Sequence, residues 1–426
     1  MSKITIVLSL QYHNIPDPLI RHILSYIAKG VFNNETLREA IDLYLKNEEE
    51  AIKKYGHINT WDTSCVTDMS KLFYNKTKFN RPIGKWNTRA VTDMSYMFYE
   101  AEFFNQYINS WDTSNVKNMS YMFFNAHCFN RSLDKWKTSN VTNMSHMFCR
   151  ALSFNQSINN WRVSNVTNMK QMFAGATRFN QPLDKWNTRN VTSMERMFCC
   201  AEEFNQPINN WKTSNVTNMT AMFSCAKQFN QPINNWNTSK VTNMSRMFNN
   251  AYEFNQPINN WNTSKVTNMS HMFDNAYKFN QPIDNWDVSN VTDMSYMFCG
   301  QSGILKLVYG MTCKTNKFNQ PLNNWDTSNV KNMDGMFCNA DNFNQSLNNW
   351  NTSNVTNMSK MFYGAHSFNQ PLDNWVVSNV TDMSGMFSRA NKFNQPLNNW
   401  DTSNVKNMVE MFCFARNFTK EILGEK

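Results

Sequence analysis

At 426 residues the chain has room for two or three globular domains, and 41 lysines and arginines against 32 acidic residues leave a formal charge of +9. That charge is too thinly spread to indicate nucleic acid by itself. No run approaches the roughly 18 apolar residues that a membrane-crossing helix needs, so no transmembrane segment is expected.

In chain order, the first residues, Met1 to Leu10, carry one lysine and a short apolar run, but no small-residue cleavage pattern comes after them. The ten cysteines (65, 128, 149, 199, 200, 225, 299, 313, 338 and 413) take no fixed place in a repeat on this reading and show no Cys-x-x-Cys spacing. They read as reduced thiols, which favours an intracellular protein without disulfides. Frequent Asn-x-Ser/Thr triplets, as at Asn140 and Asn143, weakly favour the same compartment. Residues 15–27, Ile-Pro-Asp-Pro-Leu-Ile-Arg-His-Ile-Leu-Ser-Tyr-Ile, form an amphipathic helix pattern that resembles the opening of an F-box, a helix that docks ubiquitin-ligase adaptors. A second helix comes next, with Thr36 ahead of Leu37, Ile41, Tyr44 and Leu45 and Gly56 as its stop. Residues 1–55 are thus read as an N-terminal helical cap covering the apolar face of the first repeat.

From there to the end one period rules the chain. Every tryptophan lies on one ladder: Trp61, Trp86, Trp111, Trp136, Trp161, Trp186, Trp211, Trp236, Trp261, Trp286, Trp325, Trp350, Trp375 and Trp400, spaced by 25 except for one step of 39. Two phenylalanine ladders, Phe73 to Phe412 and Phe79 to Phe418, run in phase with it. One unit, Trp211 to Asn235, reads Trp-Lys-Thr-Ser-Asn-Val-Thr-Asn-Met-Thr-Ala-Met-Phe-Ser-Cys-Ala-Lys-Gln-Phe-Asn-Gln-Pro-Ile-Asn-Asn. So short a segment buries too little apolar surface to offset the ordering of its own backbone. Stacked copies must share a core, which is the physics of a solenoid. Met219, Met222, Phe223 and Ala226 fall at i, i+3, i+4 and i+7, predicting about two turns of helix in each unit. The third position, threonine or, at 163, 288 and 377, valine, suits a short strand. The asparagine after the second phenylalanine, Asn80 through Asn394, is read as an inward ladder whose amides satisfy backbone groups of the adjacent coil.

The string Phe-Asn-Gln-Pro-Ile-Asn-Asn-Trp-Asn-Thr-Ser-x-Val-Thr-Asn-Met-Ser-x-Met-Phe resembles the bacterial surface protein repeat of the BspA type, also called the Mycoplasma lipoprotein repeat, from about Tyr55 to Leu423. The resemblance implies a distant relative of leucine-rich repeats, a curved solenoid with adhesive or protein-binding roles, and cell-surface display as the alternative to an intracellular place. The fold expected is therefore an α/β repeat, a leucine-rich-repeat-like solenoid of fourteen 25-residue units over residues 56–426 with the N-terminal helical cap. Residues 301–314 enter it as an insertion, unusually apolar for an exposed loop.

Catalytic signatures are missing: the seven histidines are scattered, and no phosphate-cradling glycine loop, Gly-x-Ser-x-Gly or His-Glu-x-x-His occurs. Neither enzyme activity nor a cofactor or metal is expected. Against the fixed framework, the residue two before each Met-Phe phenylalanine varies freely: Lys71, Tyr96, Tyr121, His146, Gln171, Arg196, Ala221, Arg246, His271 and Tyr296. Tyrosine, histidine and arginine are the residues of recognition surfaces, so Tyr96, Tyr121, His146, Arg196, Arg246, His271 and Tyr296 form the candidate binding strip on the predicted helices. The expected molecule is a monomeric, non-enzymatic scaffold for a protein partner, not for nucleic acid. Two other readings stay open: a ubiquitin-ligase substrate receptor recruited through 15–27, and a surface adhesin for glycans or host matrix.

Overall fold

The computed structural model describes residues 31–300 and 315–418. The F-box-like stretch 15–27 and the insertion 301–314 lie outside the described residues.

The chain enters through Phe32, whose N–H donates to the Asp62 carbonyl (2.8 Å), and then forms α1, Asn34–Lys46. Asn33 caps α1: its side chain accepts from the N–H groups of Glu35 and Thr36, while the Thr36 hydroxyl accepts from the Asn33 N–H. Asn47 ends α1 and caps α2, Glu48–Tyr55, which stops at Gly56 with φ +79°. Leu37, Ala40, Ile41 and Tyr44 are buried, and the rings of Phe32, Tyr44 and Tyr55 close on Trp61 at 4.9, 5.9 and 6.0 Å. Arg38 reaches both Asp68 (3.2 Å) and the Ser70 carbonyl (2.8 Å).

After Trp61 the chain repeats one coil. In the coil opened by Trp211, the N–H groups of Met219, Ala221, Phe223 and Cys225 leave their own coil and donate to Asn243, Ser245, Met247 and Asn249 of the next. The alternate N–H groups, of Met222, Ser224 and Ala226, fold back onto the carbonyls of Met219, Ala221 and Phe223. The result is a chain of tight turns with Ala221 and Cys225 at φ +51° and +57°, the sign required at the third residue of a type II turn. The helix expected at 219–226 is thus absent: half of its N–H groups bond sideways to the neighbour rather than along an axis to the i−4 carbonyl. The apolar spacing still points Met219, Met222, Phe223 and Ala226 inward, all fully buried. No extended strand forms at the third position either. Thr213 is buried there as a connector, its hydroxyl donating to the Asn237 carbonyl of the next coil (3.0 Å). The sheet-like pairing consists of single parallel bridges such as Asn218 with Asn243, repeated from Asp68 to Asn407.

Stacking fills the interior. Trp211 and Trp236 lie 6.4 Å apart and 4° from parallel, and Phe223 and Phe248 lie 5.8 Å apart. Within one coil Phe223 and Phe229 close to 4.0 Å. From Trp86 on, each buried indole N–H finds an acceptor one stacking level back, as Trp236 does at the Ile208 carbonyl (3.0 Å), while Trp61 donates to the Gly56 carbonyl (3.0 Å). The asparagine ladder sits at the half-buried margin and not inside: Asn230 Oδ1 accepts from the Asn255 N–H (2.9 Å) and from Gln256 Nε2 (3.0 Å). Across the long step the ladder is continuous, with Phe298 donating to Met336, Gly300 to Cys338, and Phe279 stacked on Phe318 at 6.0 Å.

Candidate functional site

The strip residues occupy the third position of the first turn, and that position is left-handed along the solenoid: φ is +57° at Tyr96, +52° at Arg196 and +55° at Tyr296. They therefore stand on turns, not on helices. Aiming every side chain outward from the same backbone geometry makes a column. Tyr96 and Tyr121 stack at 4.5 Å and 6°, and Tyr121 stacks on His146 at 4.1 Å with its hydroxyl 3.3 Å from Nε2. The Lys71 ammonium lies 5.7 Å from the Tyr96 ring. A second column stands beside the first on the residue after each Met-Phe phenylalanine, with Tyr74, Tyr99 and Phe124 stacked at 4.7 and 4.6 Å. Farther along, His271 stacks on Tyr296 at 4.9 Å, and the Tyr296 ring covers Gly335, where an added Cβ would fall 2.5 Å from the ring.

Within the columns ionisation is muted. Burial, reinforced by the Lys170 charge, holds the His146 imidazole at about 4, so the ring is neutral. Its Nδ1 is buried and without a hydrogen-bond partner. Burial also raises the Tyr121 hydroxyl, and burial with Asp334 raises that of Tyr296 well above its ordinary value.

The structure brings Tyr96, Tyr121 and His146 into one stack and His271 with Tyr296 into another. Between them the columns thin. Ala221 is buried, Arg196 and Arg246 are exposed, and a shallow notch of about 790 Å³ opens over Ala174, Gly175 and Ser224. Its lining also includes Arg150, which the strip pattern did not single out. Free variation after the Met-Phe pair was the signal for the second column. The signal for the turns was the frequent asparagine or glycine at Asn75, Asn125, Gly175, Asn250, Asn275, Asn339 and Gly364, all left-handed.

The cysteines are more ordered than their spacing from one another suggests. Cys149, Cys199, Cys299, Cys338 and Cys413 all come directly after a Met-Phe phenylalanine, and Cys200 and Cys225 share the next position. Copies of one position in adjacent coils are neighbours, so Cys200 beside Cys225 and Cys338 beside Cys299, together with burial, push the Cys225 and Cys299 thiols well above their ordinary value. Cys199 Sγ lies 3.8 Å from Cys200 Sγ. All of the described cysteines carry free thiols. No group of three histidine, cysteine or acidic side chains among the described residues is placed to hold a metal, and no described helix is long and apolar enough to cross a membrane.

A periodic core with variable outward columns defines a repeat protein. The chain belongs to the family described as Mycoplasma protein of unknown function, DUF285, whose model matches residues 44–151, 129–232, 206–307 and 306–424. A search of curated proteins finds no match. Among solved structures, an internalin of Listeria monocytogenes aligns at 12% identity over 84% of this chain and 93% of its own, with a TM-score of 0.22. A leucine-rich-repeat protein of Leptospira interrogans aligns at 7% identity over 88% of this chain and 95% of its own, with a TM-score of 0.24. Scores this low carry nothing about what the chain does.

Proposed function

We propose that the chain is a non-enzymatic scaffold that binds a protein partner through the variable columns, with α1 and α2 covering the first coil. One observation carries this reading: sequence freedom is concentrated on a contiguous, solvent-reachable face whose aromatic and arginine side chains are set at regular intervals by an invariant core. A recognition surface uses such residues as rigid anchors, and each coil adds one small patch, so affinity accumulates over neighbouring coils. The test is affinity capture by the intact chain, then the same capture with Tyr96, Tyr121, Arg196 and Arg246 all changed to asparagine, which tolerates a left-handed backbone. The captured partner is expected to be lost while the circular dichroism spectrum is retained. Full retention of the partner by this variant would remove the face as the binding site.

A further inference from the structure

The notch between the two aromatic stacks differs chemically from the rest of the face. Its floor is small, with Ala174, Gly175, Ala221 and Ser224 where other coils carry rings or long side chains. Three exposed guanidinium groups surround it, those of Arg150, Arg196 and Arg246, and none makes an ion pair with a described residue. Of the nearby carboxylates, Glu195 is paired with Lys170 and Glu202 with Lys227, while Asp274 makes a hydrogen bond of 2.9 Å with His271. Three guanidinium groups outside any ion pair with a described residue thus share a concave surface with one lining carboxylate, Asp274, and the balance of charge there is positive.

On the reading that this face binds a protein, we infer that the notch receives an extended acidic peptide segment of the partner, its carboxylates held by Arg150, Arg196 and Arg246. A small floor lets a backbone approach closely, and arginine grips carboxylates with paired, charge-assisted hydrogen bonds. Parallel coils advance by roughly 4.8 Å, so Arg196 and Arg246, two coils apart, stand roughly 10 Å apart along the solenoid, the reach of about three residues of extended chain. His271, stacked on Tyr296, lines one end of the notch, and His127 and Arg150 line the other.

The experiment is fluorescence anisotropy with the full chain and a short fluorescein-labelled glutamate-rich peptide, beside glutamine-rich and lysine-rich peptides and a short single-stranded DNA. The glutamate peptide alone is expected to bind, more weakly as salt rises. Arg150→Gln, Arg196→Gln and Arg246→Gln together should weaken it about tenfold or more with an unchanged melting curve. No binding to the glutamate peptide, or equal binding by the triple variant, would overturn the inference. Equal or tighter arginine-dependent binding of the DNA would also overturn it, marking a general polyanion surface. Failure here is separable from failure of the broader reading. A natural partner whose capture depends on Tyr96 and Tyr121 but not on the three arginines would remove the notch and leave the face.

Discussion

A side chain at positive φ strains its own backbone by roughly 1 kcal/mol unless the residue is glycine. The strip accepts that strain at nearly every coil, and this makes individual positions predictable. Arg196, at φ +52° and exposed, has little packing to lose, so Arg196→Gly should raise stability by roughly 0.5 to 1 kcal/mol in urea denaturation. Gly335 sits at the equivalent position with φ +57° under the Tyr296 ring, so Gly335→Ala should cost about 1 to 3 kcal/mol. Much of that cost should disappear when Tyr296→Ala is already present; strictly additive costs would show that the ring is not the obstacle. His146 supplies a pH dependence. Its folded value, about 4, lies below the ordinary 6.5, so between them the unfolded chain binds more protons and stability falls as pH drops through that window. His146→Gln should flatten the difference in melting temperature between pH 7 and pH 4.5, and an unchanged difference would place the titration elsewhere.

At the scale of one coil, two residues that look ordinary in the unit carry cross-coil bonds. Trp236→Ala removes a buried ring stacked on both neighbours and the bond to Ile208, and should cost roughly 3 to 5 kcal/mol. Asn230→Ala leaves the Asn255 N–H and Gln256 amide without their acceptor and should cost about 1 to 3 kcal/mol, although the site is only half-buried. A loss below about 0.3 kcal/mol in chemical denaturation would mean that water replaces the amide freely. The tryptophan, valine, methionine and phenylalanine ladders were legible because interior contacts repeat from coil to coil and admit one side chain. The local backbone was not. Met219, Met222, Phe223 and Ala226 have helical spacing, yet two consecutive turns turn the same side chains inward. Recurrent asparagine and glycine at the second left-handed position contradict a helix interior and were the readable warning. The cysteine columns were equally readable once counted from Phe198 and Phe223 instead of from one another. The notch was not, because it arises from the small residues that the coils opened by Trp161 and Trp211 carry near each other.

Over the whole molecule, stability is set by nearest neighbours, since one coil's N–H groups donate to the next and its rings stack on the one before. Position along the solenoid then matters more than residue type. Met383, Gly385, Phe387 and Arg389 donate to Asn407, Val409, Met411 and Cys413, but Met408, Glu410, Phe412 and Phe414 have no cross-coil acceptor among the described residues. The apolar side chains agree: Val409 and Phe414 are 69% exposed, and Met408 40%, whereas its counterpart Met383 is fully buried. Among the coils of the described residues, hydrogen exchange should therefore be fastest at 408–414 and slow sharply within a coil or two, reaching its greatest protection near Trp236, where each ladder is closed on both sides. The same gradient should appear in energies. Trp400→Ala, at a ring stacked on one neighbouring tryptophan, should cost clearly less than Trp236→Ala, and only the latter should divide unfolding into separate steps by uncoupling the coils on its two sides. Uniform protection from 408 to the middle of the chain, measured by mass spectrometry of exchanged peptides, would show that the solenoid unfolds as one unit and that nearest-neighbour contacts are not what governs it.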